Sequence, residues 1–126
     1  MFPRALIVAG AFIVIALVVR LWRRPPRLAR LDLRYLAIRG PAIVQFTTPW
    51  CGPCKTAAPH LRRAAGAAGL AYAEIDVADR PDIARRYHIR RVPTIAVAGA
   101  NGRVLGTWTA LPPNGEIGDA ARLAAS

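Results

Sequence analysis

Cys51 and Cys54 are the only cysteines in 126 residues, and they stand three apart in the stretch WCGPCK. Thiols at that spacing can hold a metal, close a structural loop, or cycle between dithiol and disulfide. A thiolate zinc site needs a second cysteine pair or two closely spaced histidines. The chain offers only His60 and His88, far apart, so no metal is expected. A purely structural bond from Cys51 to Cys54 would close a very small loop and remove little entropy from the unfolded chain. What remains is a dithiol that opens and closes.

Its setting supports that chemistry. The run AIVQFT, Ala42–Thr47, is short, mostly apolar and rich in β-branched and aromatic residues, which reads as a central strand. An alanine-rich helix is expected from about Cys51 to Ala68, kinked at Pro59. A thiol between a strand and the first turn of a helix feels unpaired N–H groups and the positive end of the helix dipole, and both favour the thiolate. Cys51 comes first and is the candidate exposed nucleophile. Cys54, one turn in, is expected to be more buried and to resolve the mixed disulfide. Gly52 lets the turn form, and Pro53 suits the first helical turn because its missing N–H has no partner to lose.

The elements that must hold this dithiol follow from pattern. LAYAEIDV, Leu70–Val77, reads as a second strand, and Pro81 opens a short helix through Tyr87. Thr94–Val97 is a third strand. Gly99–Gly102 is turn chemistry, returning as Arg103–Thr109 in a hairpin. Asn114 is a plausible cap for a last short helix. Upstream, Leu28, Leu31, Tyr35 and Ile38 recur at helical spacing and predict a helix. The order β-α-β-α-β-β-α predicts a mixed α/β sheet with helices on its faces.

Trp50-Cys51-Gly52-Pro53-Cys54-Lys55 resembles the active site of the thioredoxin family. Pro59 sits where that family kinks the same helix, and Arg90-Arg91-Val92-Pro93-Thr94 resembles the segment carrying its cis-proline. The resemblance implies that Pro93 faces the dithiol across a groove lined also by Trp50, and that the Val92 backbone pairs with an extended substrate. It implies protein disulfides as substrates, an upstream dithiol electron donor and no cofactor. Residues 41–124 follow the pattern, but the family has one further strand and helix that residues 25–40 hardly have room for. Four positions depart. Gln45 replaces a buried aspartate, Glu74 stands near where a lysine is usual, Thr47 replaces an aromatic, and Thr109 replaces a groove glycine. Alternation puts Tyr72, Glu74 and Asp76 on one face of their strand. If that face turns toward the dithiol, Glu74 is a candidate base for Cys54, with burial raising its pKa; otherwise it is a solvated strand residue. His60 and His88 read as surface residues. Trp108 reads as groove lining or packing. Arg85, Arg86, Arg90 and Arg91 read as a basic rim or a solvated face.

Apolar residues make up 54% of the chain, more than one small core needs. The excess lies at the N-terminus, where Ala5–Val19 carries no charge and Arg20, Leu21 and Trp22 follow. As a helix, Ala5–Trp22 is about 27 Å long, close to a hydrocarbon core of ~30 Å. Fifteen apolar residues with no polar face cannot be buried by so small a domain, and no A-x-A cleavage pattern follows, so an uncleaved anchor is expected. Arg4 precedes the span, while Arg20, Arg23, Arg24, Arg27, Arg30 and Arg34 accompany or follow it. That asymmetry predicts a single-pass cell-membrane protein with a cytoplasmic domain. The net charge of +11 is concentrated there, since residues 1–39 carry eight arginines and one aspartate. The run lacks interleaved aromatics, so anionic lipid headgroups are the expected partner and nucleic acid is not.

The expected organisation is therefore residues 1–24 as a transmembrane anchor, 25–40 as a basic juxtamembrane linker or helix, and 41–126 as a thioredoxin-like domain. The expected function is membrane-tethered protein-disulfide reduction, since Gly52-Pro53 resembles the reducing members of the family. The alternatives are an extracytoplasmic protein for haem-protein maturation or disulfide handling, and a non-catalytic tethered binding module.

Overall fold

A computed structural model describes residues 3–23, 28–113 and 115–126. Pro25 and Pro26, which from sequence alone are expected to end the anchor helix or set a short rigid linker, and Asn114, expected as a cap, lie outside the described residues. Helix α1, Pro3–Trp22, is exposed along its whole length, with a mean hydropathy of 2.5 over its most apolar window. Its twenty residues give about 30 Å, long and apolar enough to cross a membrane.

The body is a four-stranded sheet in the order β2-β1-β3-β4, made from β1 (Ala42–Thr47), β2 (Ala71–Asp76), β3 (Thr94–Ala98) and β4 (Val104–Trp108). β1 runs parallel to β2 and antiparallel to β3, and β3 and β4 form the hairpin. The two central strands are covered on both faces, which is why AIVQFT and TIAVA read as nearly continuous apolar runs. Alternation then sorts β1. Ile43 packs with Ala57, Leu61 and Ala65 of α2 (Gly52–Ala68) and with Ile117 and Ala121 of α4 (Glu116–Ala125). Ala42, Val44 and Phe46 pack on the other face with Ile83 of α3 (Pro81–Arg86), Tyr87 and Leu31. Phe46 is fully buried, and its truncation to alanine would cost about 3–5 kcal/mol.

The helix expected from the spacing of Leu28, Leu31, Tyr35 and Ile38 does not form. Residues 28–31 run extended along the outer edge of β4: Arg30 bridges Arg103, Leu31 N–H donates to Gly102 at 2.8 Å, and Val104 N–H donates to Ala29 at 3.1 Å. Gly102 permits that approach, with φ of +83° and the Leu31 carbonyl 2.2 Å from where a Cβ would stand. Only one turn follows, over Leu33–Ala37, with Asp32 accepting from the Tyr35 N–H. Edge pairing gives the backbone of residues 29–31 partners, and Leu31 and Leu36 enter the core. The packed body thus begins well before residue 41.

Candidate redox site

β1 ends at Thr47, and four residues separate it from the start of α2 at Gly52, so the sheet delivers Cys51 to the N-terminus of that helix. Cys51 is its N-cap, with extended φ/ψ, and Cys54 N–H donates to Cys51 Sγ at 3.2 Å. A sulfur that accepts a helix N–H is placed where an anionic thiolate would be stabilised once the pair is open. Here the pair is closed as a disulfide, with the two Cα atoms 5.4 Å apart. Cys51 is not the exposed residue expected: it is 7% accessible against 3% for Cys54. Gly52 and the N-terminal Pro53 are exposed around it, and Trp50 is 77% exposed beside it.

Pro93 reaches the same end of the sheet by register. Thr94 pairs with Phe46 in the antiparallel β1–β3 ladder, so the residue before it lies level with Thr47, next to the dithiol loop. The Val92–Pro93 peptide bond is cis, and Pro93 is buried while Val92 is half-buried. Thr94 Oγ1 donates to the Arg91 carbonyl at 2.7 Å.

Gln45, fully buried on the α2 face of β1, ties this site to the sheet. Its Nε2 donates to the Cys54 carbonyl at 3.1 Å. Its Oε1 lies 2.8 Å from the Tyr72 hydroxyl, which lies equally close to Glu74 Oε1. Two acceptors share one phenolic proton, and burial followed by the Glu74 carboxylate pushes Tyr72 ionisation upward, with Arg62 opposing.

Glu74 does lie on the face turned toward α2, and with Asp76, Thr47, Thr48 and Lys55 it lines a cavity of about 320 Å³ that ends on Cys54. It is exposed, however, and bonded to Arg62 at 3.4 Å, so the burial expected to raise its pKa is not present. The Thr48 hydroxyl is buried in that cavity wall without a partner among the described residues. Tyr72 and Thr48 are the site residues that sequence reasoning missed. Tyr72 was detectable, since it shares the face and parity of Glu74; Thr48 carried no such signal.

The remaining candidates fall elsewhere. Trp108 packs against the α2/α4 side, and its Nε1 donates to Glu116 at 2.9 Å, so it is packing. His60 is an exposed neighbour of Arg63 on α2. Arg86 pairs with Asp32, whereas Arg85, Arg90 and Arg91 are exposed without ion pairs among the described residues.

The thioredoxin family model matches residues 34–115, and the chain belongs to the thioredoxin family. It is 38% identical over 60 residues to a thioredoxin of Thiocapsa roseopersicina, covering 46% of this chain and 66% of that one. The chain spans at most about two thirds of the length of the curated relatives it matches. Among solved structures, oxidised mitochondrial thioredoxin 3 from Saccharomyces cerevisiae superposes with a TM-score of 0.54 at 30% identity, covering 65% of this chain and 78% of that one. A mutant thioredoxin from Halobacterium salinarum does so with a TM-score of 0.61 at 26% identity, covering 70% and 77%. The fold class read from the motif, a thioredoxin-like mixed sheet flanked by helices behind one long apolar helix, is the one found.

Proposed function

We propose that this chain is a membrane-anchored thiol–disulfide oxidoreductase that reduces protein disulfides through Cys51 and Cys54. The observation that carries the reading is the dithiol at the α2 N-terminus, with the Cys51 sulfur accepting the Cys54 N–H. In the reduced protein, Cys51 thiolate attacks one sulfur of a substrate disulfide and expels the other as a thiolate. Cys54 then gives up its proton and attacks Cys51. The mixed disulfide breaks, the substrate leaves as a dithiol, and the chain is left with the Cys51–Cys54 bond. An upstream dithiol must return two electrons and two protons for the next turnover.

The groove side of the site is the segment ending at the cis-bonded Pro93, where the Val92 backbone pairs with substrate in this reading. Trp50, Gly52 and Pro53 border the dithiol. The proton of Cys54 leaves through the cavity that Glu74 lines, where Thr48 supplies a hydroxyl in need of a partner. The anchor in this reading is α1, and the arginine excess behind it supports a cytoplasmic domain.

The test is insulin reduction by the full chain in neutral-lipid nanodiscs with a chemical dithiol as donor. Turnover that disappears on prior alkylation of the reduced protein supports the reading. A rate equal to the donor alone contradicts it and leaves a binding module.

A further inference from the structure

A cavity larger than the one that ends on Cys54 lies away from the dithiol. It measures about 830 Å³ and lies where residues 28–34 cross α3 and the β3–β4 turn. Arg30, Arg34, Arg86 and His88 line it, with Asp32 as the one carboxylate. Asp32 is engaged by Arg86 at 3.3 Å, and the Arg86 guanidinium is stacked 4.2 Å over the Tyr35 ring. Arg86 is therefore held in place, while Arg30 and Arg34 have no ion pair among the described residues. The wall is completed by apolar side chains, Leu28 foremost.

The backbone at His88 is unusual. It occupies the left-handed position that ends α3, with φ of +52° and Ile89 N–H bonded to the Ala84 carbonyl. Glycine fits that position without strain, yet a histidine stands there, lining the cavity. Chain length fixes the location. Four residues separate Arg23, at the end of α1, from Leu28, at the cavity wall, and they reach at most ~18 Å.

We infer that this cavity binds the headgroup of an anionic phospholipid: Arg30, Arg34 and Arg86 meet the phosphate, His88 contacts the polar headgroup, and the apolar wall takes the upper part of the acyl chains. This rests on reading α1 as a membrane anchor, because only then does a bilayer lie within reach. The charge complements an anionic lipid, and a guanidinium fork matches phosphate geometry. Lipid held here would fix the domain against the membrane with its dithiol end in a set direction.

The experiment uses the full chain in phosphatidylcholine nanodiscs. It follows the backbone amide signals of Arg30, Arg34 and His88 while monomeric dihexanoyl-phosphatidylglycerol, dihexanoyl-phosphatidylcholine or inorganic phosphate is added. Saturable shifts with the glycerol lipid, at least tenfold weaker with the choline lipid or phosphate, are expected. Each cation near an anionic surface contributes roughly fivefold, so Arg30→Gln with Arg34→Gln should weaken binding by about tenfold or more. Arg63→Gln, on the far helix, should change nothing. Equal affinity for all three ligands, or an unaltered response in the double variant whose spectrum shows a native fold, overturns the proposal. Equal binding of phosphate and the glycerol lipid makes this a free-anion site and overturns it too. Alkaline carbonate extraction separates the two readings. A chain washed off neutral vesicles refutes the anchor; a chain that stays while the amides remain silent refutes the cavity.

Discussion

Gln45 Nε2 donates to the Cys54 carbonyl at 3.1 Å, a bond from the middle of the central strand to the first turn of the redox helix. The bond comes from a side chain that cannot titrate, so it orients Cys54 without taking its proton. The Tyr72 hydroxyl holds the other end of the same amide.

Gln45→Leu keeps the volume and removes both contacts. It removes a buried donor from the Cys54 carbonyl, a cost of about 1–3 kcal/mol, while the Tyr72 hydroxyl keeps Glu74 as its acceptor. Thermal unfolding should drop by at least ~4 °C, the shift about 1 kcal/mol produces in a domain of this size. An unchanged midpoint would show that the amide is incidental.

Glu74 shares a cavity with Cys54 but is exposed and tied to Arg62 and Tyr72. Glu74→Gln preserves shape and removes the proton acceptor. The resolving step, read by stopped-flow on a preformed mixed disulfide, should slow by about tenfold, at the lower end of what a positioned base contributes. Attack by Cys51 should stay within about twofold, a rate set by its own thiolate rather than by a base. Asp76→Asn, whose carboxylate is occupied by the Ala78 and Asp79 N–H groups, should resolve normally. Equal resolving rates in Glu74→Gln and the parent would return Glu74 to an ordinary strand residue.

Much of this site was legible because its parts are local. The strand Ala42–Thr47 is found with the bounds read from its composition, and the Cys51–Pro59 stretch lies on the helix its motif implied. The segment from Leu28 to Ile38 was misread because its apolar spacing satisfied a helix equally well. The decisive partner, the edge at Gly102–Val104, lies some seventy residues away and leaves no trace in local periodicity. Glu74's face was predictable from alternation, but its exposure was not, because exposure depends on what lies beyond it.

The segment 32–35 is fastened to α3 through Asp82, which is held well below the usual carboxylate range by Arg80 and then by the Tyr35 hydroxyl. A depressed folded pKa stabilises the protein above the unfolded value of ~3.9, and that contribution is lost as pH falls through it. Asp82→Asn should therefore lower the unfolding temperature at about pH 6, with the gap to the parent narrowing steadily as pH falls below about 4. A gap independent of pH would mean that the carboxylate's charge contributes nothing.

Topology is tested by labelling. Arg4 stands in the first turn of α1, against six arginines from Arg20 to Arg34 at and beyond its C-terminal end, so a membrane-impermeant maleimide should leave Cys51 unmodified in intact cells under reducing conditions and modify it after lysis. Labelling before lysis would place the domain outside and favour a role in extracytoplasmic disulfide chemistry.

The most direct test of the two-cysteine mechanism is capture of its intermediate. Full-length Cys54→Ser, reduced and mixed with a disulfide-bonded protein substrate, should accumulate a covalent adduct that a dithiol releases. Peptide mass mapping should place the link at Cys51, while Cys51→Ser should form none. An adduct through Cys54, or no adduct in either variant while the parent still turns over, would contradict the assignment of Cys51 as the attacking thiolate.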